Sequence, residues 1–413
     1  MAELINSKYK WYIMILGALT NAIVVATPAM GLSVLLPEIS KDLGLNIVQA
    51  GLVWGISSLP MLFASLTGGT LVDRIGPKRI LMASCCLMSL AGAARGFSSN
   101  FGLLMITVFI FGSFGPLVTL SNFKNAVLWF TPQERGMANG VATIGMASGF
   151  FIGSLVSAAY LSPLVNGWRN VFFVYGAIGV LFTIPWALTQ LPPVNRDSIE
   201  AELMPRAFKA TLLHLASIKN MWLLGLAVMG VTGGLQGLLG YLPLYLQNIG
   251  WSVASTGRVL AAFNIASMTC VLPLTILSDK LDSRTKLLIV AALLTALGMG
   301  ALVLVEQLGV WLIMILVGTT RDGFMAVFFT RVTEEHGVKK AEVGMAIGFV
   351  MFFIALGSLI APPLGNSLEN QVLAGAPLIF WSAMALFGGL CLYLVARRET
   401  GRVIHPRESL EKV

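Results

Sequence analysis

Twelve stretches of this chain are apolar enough, and long enough, to cross about 30 Å of hydrocarbon at roughly 1.5 Å per helical residue. They cover roughly 11–37, 47–72, 80–96, 102–130, 137–161, 170–190, 221–247, 253–278, 286–305, 309–330, 343–367 and 375–396. In lipid every backbone N–H and C=O must be satisfied internally, so runs of this length predict helices. Charge points the same way. Lys, Arg, Asp and Glu make up 11% of the 413 residues, against about 25% in soluble proteins, too few to cover a wetted surface. The expected fold class is therefore an all-α polytopic membrane protein. The composition excludes a disordered, fibrous or disulfide-stapled chain. Cys85, Cys86, Cys270 and Cys391 all fall in apolar runs, without metal-ligand spacing. The first run is too long for a signal peptide and lacks a cleavage site.

An even number of crossings places both termini on one side. Of the 27 Lys and Arg, Lys41, Arg95, Arg169 and Arg258 fall on the opposite face, and Lys124 and Arg321 fall within spans. The rest occupy the termini and one set of loops, which predicts that this side is cytoplasmic in a cell (inner or plasma) membrane. The net charge of +8 is thus a topology signal and not a nucleic-acid signature. Arg95 and Arg258, near the outer ends of their spans, read as interfacial.

The chain also repeats itself. Leu36-Pro37, Gly44, Gly51 and Asp73 recur 206 residues later as Leu242-Pro243, Gly250, Gly257 and Asp279. Gly136-Met137-Ala138-x-Gly140 and Gly149 recur 208 residues later as Gly344-Met345-Ala346-x-Gly348 and Gly357. Two pseudo-symmetric six-helix bundles are expected, over 1–190 and 221–413. A polar linker over 191–220 joins them, beginning at Leu191-Pro192-Pro193.

The loop after span 2 reads Gly69-x-Leu71-x-Asp73-Arg74-x-Gly76-x-Lys78-Arg79, with a weaker counterpart, Leu277-Ser278-Asp279-Lys280-x-Asp282-x-Arg284-x-Lys286, after span 8. Gly69 permits close helix approach, Gly76 permits a tight turn at positive φ, and Asp73 is placed to receive a cation and a helix dipole. Together with Trp129-Phe130-x-Pro132-x-Glu134-Arg135-Gly136 and Gly167-Trp168-Arg169, this resembles the major facilitator superfamily over the whole chain. The general look is that of its oxalate/formate, monocarboxylate and nitrate/nitrite porter branches. The paired midplane arginines and Asn/Gly-rich signature of the nitrate branch are missing. The resemblance implies alternating access, with Gly69, Asp73, Arg74, Gly76 and Asp279 in a conformational latch. Proton-antiporting drug exporters of the family carry Gly-Pro in span 5; here Phe150 follows Gly149.

Ionisable groups at membrane depth are costly and mark function. Asp322 is the one acidic residue deep in a span, and its neighbour Arg321 lies near the midplane. Consecutive helical residues diverge by about 100° and do not face each other, so Arg321 is expected to lack an anionic partner. It then reads as an anion site, with a structural ion pair as the alternative. Asn21, Asn122, Gln236, Tyr241 and Asn264 are further candidates for solute contact, each equally explicable by interhelical hydrogen bonding. Lys124 is assigned to the vestibule, as an anion station or a snorkelling lysine. Asp322 is the candidate proton carrier. Gly145, Gly149 and Gly153 form a close-packing stripe, and the glycines from Gly230 to Gly240 suggest a bend in span 7.

No phosphate-binding loop, metal-ligand set or nucleophilic triad is present, so no cofactor and no enzymatic activity are expected. The expected function is secondary active transport of a small anion, monocarboxylate-like, with H+ symport as a possible coupling. The alternatives are an H+-antiporting multidrug or metabolite exporter and, more remotely, a non-transporting membrane sensor. The expected partners are the solute, H+ and the lipid bilayer, with a monomer as the functional unit.

Overall fold

The computed structural model describes residues 8–131, 134–190, 208–281, 283–339, 342–369 and 375–404. Among these residues all regular structure is helical. Twelve helices are long and apolar enough to cross a membrane: Tyr9–Leu43, Ile47–Ala64, Pro77–Phe97, Phe101–Trp129, Arg135–Leu164, Trp168–Leu188, Lys219–Asn248, Val253–Lys280, Arg284–Ala301, Gln307–Thr333, Val343–Glu369 and Ala376–Arg398. They keep the numbers of the sequence spans. Within the expected linker, residues 191–207 lie outside the described residues, and Phe208–Ser217 is a short helix.

Local chemistry sets the irregularities. Pro28 lacks an N–H, and the preceding turn of span 1, Asn21–Ala26, widens into a π-helix before α-geometry resumes at Thr27. Pro60 has the same effect in span 2, where the helix Ile47–Ile56 stops and Leu59–Ile75 restarts after a turn at Ser57 and Ser58. Asn46 and Gln49 form a reciprocal cap at the start of span 2, satisfying N–H groups that would otherwise be orphaned. Gly76, at φ 92, ends the Leu59–Ile75 helix and begins span 3, as the loop pattern predicted.

Small residues decide which helices touch. A Cβ at Gly145 would collide with the Ala18 carbonyl, one at Gly149 with Ala22 and Ala26, and one at Gly153 with Thr27. The stripe therefore seats span 5 directly on the backbone of span 1. In span 7 the helix runs unbroken over Lys219–Asn248. Its glycines serve packing: Gly230 meets Met384, Gly233 meets Gly357, Gly237 meets the Trp381 indole and Gly240 that of Trp54.

Spans 1–6 meet spans 7–12 at the end remote from the termini. Ser33 donates to the Leu239 carbonyl at 2.5 Å, Trp54 Nε1 to the Gln236 carbonyl at 2.8 Å, and Asn366 to the Ile47 carbonyl at 2.8 Å. Gly51 and Gly55 lie against Pro362 and Leu359, and Gly257 against Ser154. Toward the termini the packing is looser, since a methyl group on Gly136, Gly140 or Gly344 would meet nothing within 4 Å.

At the end that carries the termini, each repeat ties the start of its fifth span to the chain at, or just before, the start of its first. Lys10 Nζ donates to Glu134 at 2.8 Å, and this bond holds the Glu134 carboxyl below the usual glutamate range. The equivalent Glu342 pairs with His214 of the short helix at 3.0 Å. Burial would raise the Glu342 pKa, but the Lys339 N–H and His214 outweigh it and the net shift is downward. Asp279 takes a 2.7 Å bond from Arg284, which also reaches Glu334 at 2.9 Å.

Candidate solute-binding site

Arg321 sits fourteen residues into span 10, about 21 Å from that helix's start at Gln307. Gly318 and Gly323 bracket it, and through them span 10 packs against Phe263 and Leu274 of span 8. This approach brings Arg321 Nη1 to 3.0 Å from Asn264 Oδ1. Asn264 is itself fixed, donating to the Leu260 carbonyl at 2.9 Å and reaching Ser154 Oγ at 3.5 Å. Phe150 and Phe263 lie 4.9 and 5.7 Å from the guanidinium carbon. Phe150, the residue standing where exporters of the family carry proline, thus forms part of the Arg321 environment.

The expectation that Arg321 has no anionic partner is corrected. Its Nε lies 3.6 Å from Asp322 Oδ1, because a four-atom stem curls back over a distance that Cβ directions alone do not span. At that separation the contact is Coulombic and not a hydrogen bond. Both side chains are partly open, at 20% and 27%. The Asp322 N–H donates to Ser267 Oγ at 3.2 Å.

A cavity of about 140 Å3 lies between the two sets of spans, bounded by Met30, Trp54, Ser57, Phe111, Phe150, Gln236, Leu239 and both Arg321 and Arg95 among others. Among the described residues no carboxylate lines it. Two fixed cations in an apolar wall attract an anion strongly; at an effective dielectric constant of 20, one pair 4 Å apart interacts by about 4 kcal/mol.

Arg95, expected as an interfacial residue near a span end, is enclosed by protein. It is 0% exposed, at the end of a short third span. Its guanidinium stacks 3.8 Å from Phe111 and 4.6 Å from Phe172. The run Ala91-Gly92-Ala93-Ala94-Arg95-Gly96 explains the burial, since side chains this small let neighbouring aromatic residues close over the arginine. Gly96 indeed lies against Phe173 and the Arg169 carbonyl. That small-residue run was the available signal. Arg258 is exposed, in keeping with an interfacial position.

The other sequence candidates separate by location. Gln236 lines the cavity. Asn21 and Asn122 do not; Asn122 Nδ2 donates to Asn21 Oδ1 at 3.0 Å, and Asn21 Nδ2 to the Ala142 carbonyl at 3.1 Å, tying spans 1, 4 and 5. Tyr241 is buried between Tyr245 and Trp381 and bonds Glu369, apart from the cavity lining. Lys124 is half-buried in span 4. In the loop after span 2, Arg74 is exposed, while the surroundings of Gly69 and of the Asp73 side chain lie outside the described residues.

Comparison with known proteins places these observations. The sequence pattern of the Major Facilitator Superfamily matches residues 15–337. A probable L-galactonate transporter of Escherichia coli is 28% identical over 56% of this chain and 53% of its own length. A probable sulfoacetate transporter, SauU, of Cupriavidus necator is 26% identical over 57% of each. A probable galactarate/D-glucarate transporter of Bacillus subtilis is 30% identical over 48% of this chain and 44% of its own. The matches thus span about half the length of these curated relatives. In fold, the chain is similar to a crystal structure of a bacterial homolog of the human lysosomal transporter Spinster, in inward-facing and occupied conformation. That likeness has a TM-score of 0.77 at 16% identity, over 95% of this chain and 98% of the other. With twelve apolar helices and this match over most of its length, the chain belongs to the Major Facilitator Superfamily.

Proposed function

We propose that this protein is a secondary carrier of small organic anions, working by alternating access, with Arg321 as the solute-binding cation. The observation that carries the reading is the cavity itself, which joins two guanidiniums and no carboxylate between the first and last six spans. The relatives named for galactonate, galactarate/glucarate and sulfoacetate are carriers of organic acids by name, which supports the same class of cargo. Each set of six spans acts as one bundle, and the Lys/Arg bias puts the termini in the cytoplasm. The contacts sealing the remote end then correspond to an inward-facing state.

Asp322 supplies the coupling. A carboxylate 3.6 Å from Arg321 competes with an incoming anion for the same cation. Once solute occupies Arg321, Asp322 loses its counter-charge, which a proton entering with the solute would replace. One anion and one proton would then move together, so that loading leaves the net charge of the site unchanged as it reorients. A multidrug exporter fits less well, since its cationic cargo would meet two arginines.

Counterflow of labelled organic acids into vesicles reconstituted with the full chain tests the proposal. Wild type is expected to exchange at least one small acid. Arg321→Ala should lose exchange while unfolding at a similar temperature, and Arg321→Lys should recover part of it, having charge without the bidentate fork. Wild-type exchange by Arg321→Ala would overturn the assignment.

A further inference from the structure

A guanidinium has five N–H donors and cannot discard its charge in a protein. In Arg95, Nη1 reaches the Pro28 carbonyl at 3.2 Å, while Nε and Nη2 are buried without any partner. Among the described residues no carboxylate forms an ion pair with it. The flanking Phe111 and Phe172 rings offset part of the desolvation, but they leave those in-plane donors unsatisfied. A buried, unpaired charge costs several kcal/mol. An arginine kept in that condition at the edge of a cavity is poised for an anion that arrives from outside the chain.

We infer that Arg95 is the second arm of the binding site, and that the preferred solute is a compact dianion, with one acidic group on Arg321 and the other at Arg95. This rests on the anion-carrier reading above and narrows it from acids in general to short dicarboxylates or sulfocarboxylates. Three observations support it. Arg95 and Arg321 bound the same cavity, no carboxylate is among its described lining residues, and Asp322 is the acidic group beside Arg321. The cavity, at about 140 Å3, is smaller than the roughly 300–1,000 Å3 of drug-sized ligand sites, which suits a short diacid. The two cations also come from different halves of the chain, span 3 and span 10, so a solute bearing two charges bridges the interface that must rearrange during transport. Arg95 bounds the cavity yet exposes none of its own surface, so occupation requires a small shift of the lining to uncover Nε and Nη2.

The test uses the purified full chain and matched acids that differ by one charge: malonate against malonamate and succinate against succinamate, with binding read from thermal-shift titrations. Wild type should prefer the diacid of at least one pair by roughly 10- to 100-fold, the worth of a charge-assisted hydrogen bond. Arg95→Met should erase that preference by weakening the diacid alone. It should not lower the unfolding temperature of the ligand-free protein, because it removes an uncompensated buried charge. Arg321→Gln should weaken both members of the pair. If Arg95→Met proves unstable, the wild-type pH profile decides: diacid affinity should fall below the second pKa of the diacid while monoamide affinity does not. Equal affinities in wild type, a preference that survives Arg95→Met, or equal loss of both acids in Arg95→Met would each overturn the inference. Absence of binding by any acid to wild type would instead overturn the anion-carrier reading on which it rests.

Discussion

At the scale of single residues, Arg321 and Asp322 work against each other. The 3.6 Å contact is too long for a strong hydrogen bond and short enough for direct Coulombic attraction. Asp322→Asn is therefore expected to uncouple transport and leave binding intact. A pH gradient, acidic outside, should no longer drive accumulation in vesicles, while exchange of labelled for unlabelled acid continues at near wild-type rates. Accumulation that still follows the pH gradient in this variant would remove Asp322 as the proton carrier. Arg321 and Asp322 were legible in the sequence because ionisable groups are so rare in the spans. Arg95 was not, because its position near a span end looks interfacial, and only packing shows that span 3 ends beneath a cover of aromatic rings. Asn21 and Asn122 illustrate a different limit: a sequence shows that an amide lies at membrane depth, but not whether another amide lies 3.0 Å away.

At the scale of elements, glycine spacing carried more information than hydropathy. The spans were legible from apolar run length alone, and the Gly145, Gly149 and Gly153 stripe correctly indicated a close helix contact. Which helix it meets, span 1, depends on topology and was not written in the stripe. In span 7 dense glycine suits both a bend and a tight interface, and the interface is visible in Trp54 and Trp381, which fill the space the glycines leave. Two substitutions separate packing from flexibility. Gly149→Ala forces a methyl group into Ala22 and Ala26 and should destabilise the fold by about 1–3 kcal/mol, seen as a lower unfolding temperature in detergent. Gly136→Ala, which meets nothing within 4 Å, should be neutral or slightly stabilising, because alanine favours a helix by about 1 kcal/mol over glycine. Equal effects at the two positions would contradict the packing assigned to the stripe.

At the scale of the molecule, the internal repeat predicted two related halves, and the contacts between spans show where they meet. Hydrogen bonds from Ser33, Trp54 and Asn366 close the end remote from the termini, and the cavity lies beside this seal. The sequence could not reveal this state, because a carrier working by the proposed alternating access would also close at its other end. The central claim is that a small organic anion binds between the halves, on Arg321. An experimental structure with bound sulfoacetate, whose sulfur gives an anomalous signal, tests it most directly. The expected result is a sulfur peak inside the cavity bounded by Trp54, Gln236 and Arg321, with an acidic oxygen about 3 Å from the Arg321 guanidinium. A cavity without that peak at saturating sulfoacetate, or an anion bound elsewhere while Arg321 keeps only Asn264 and Asp322, would contradict it.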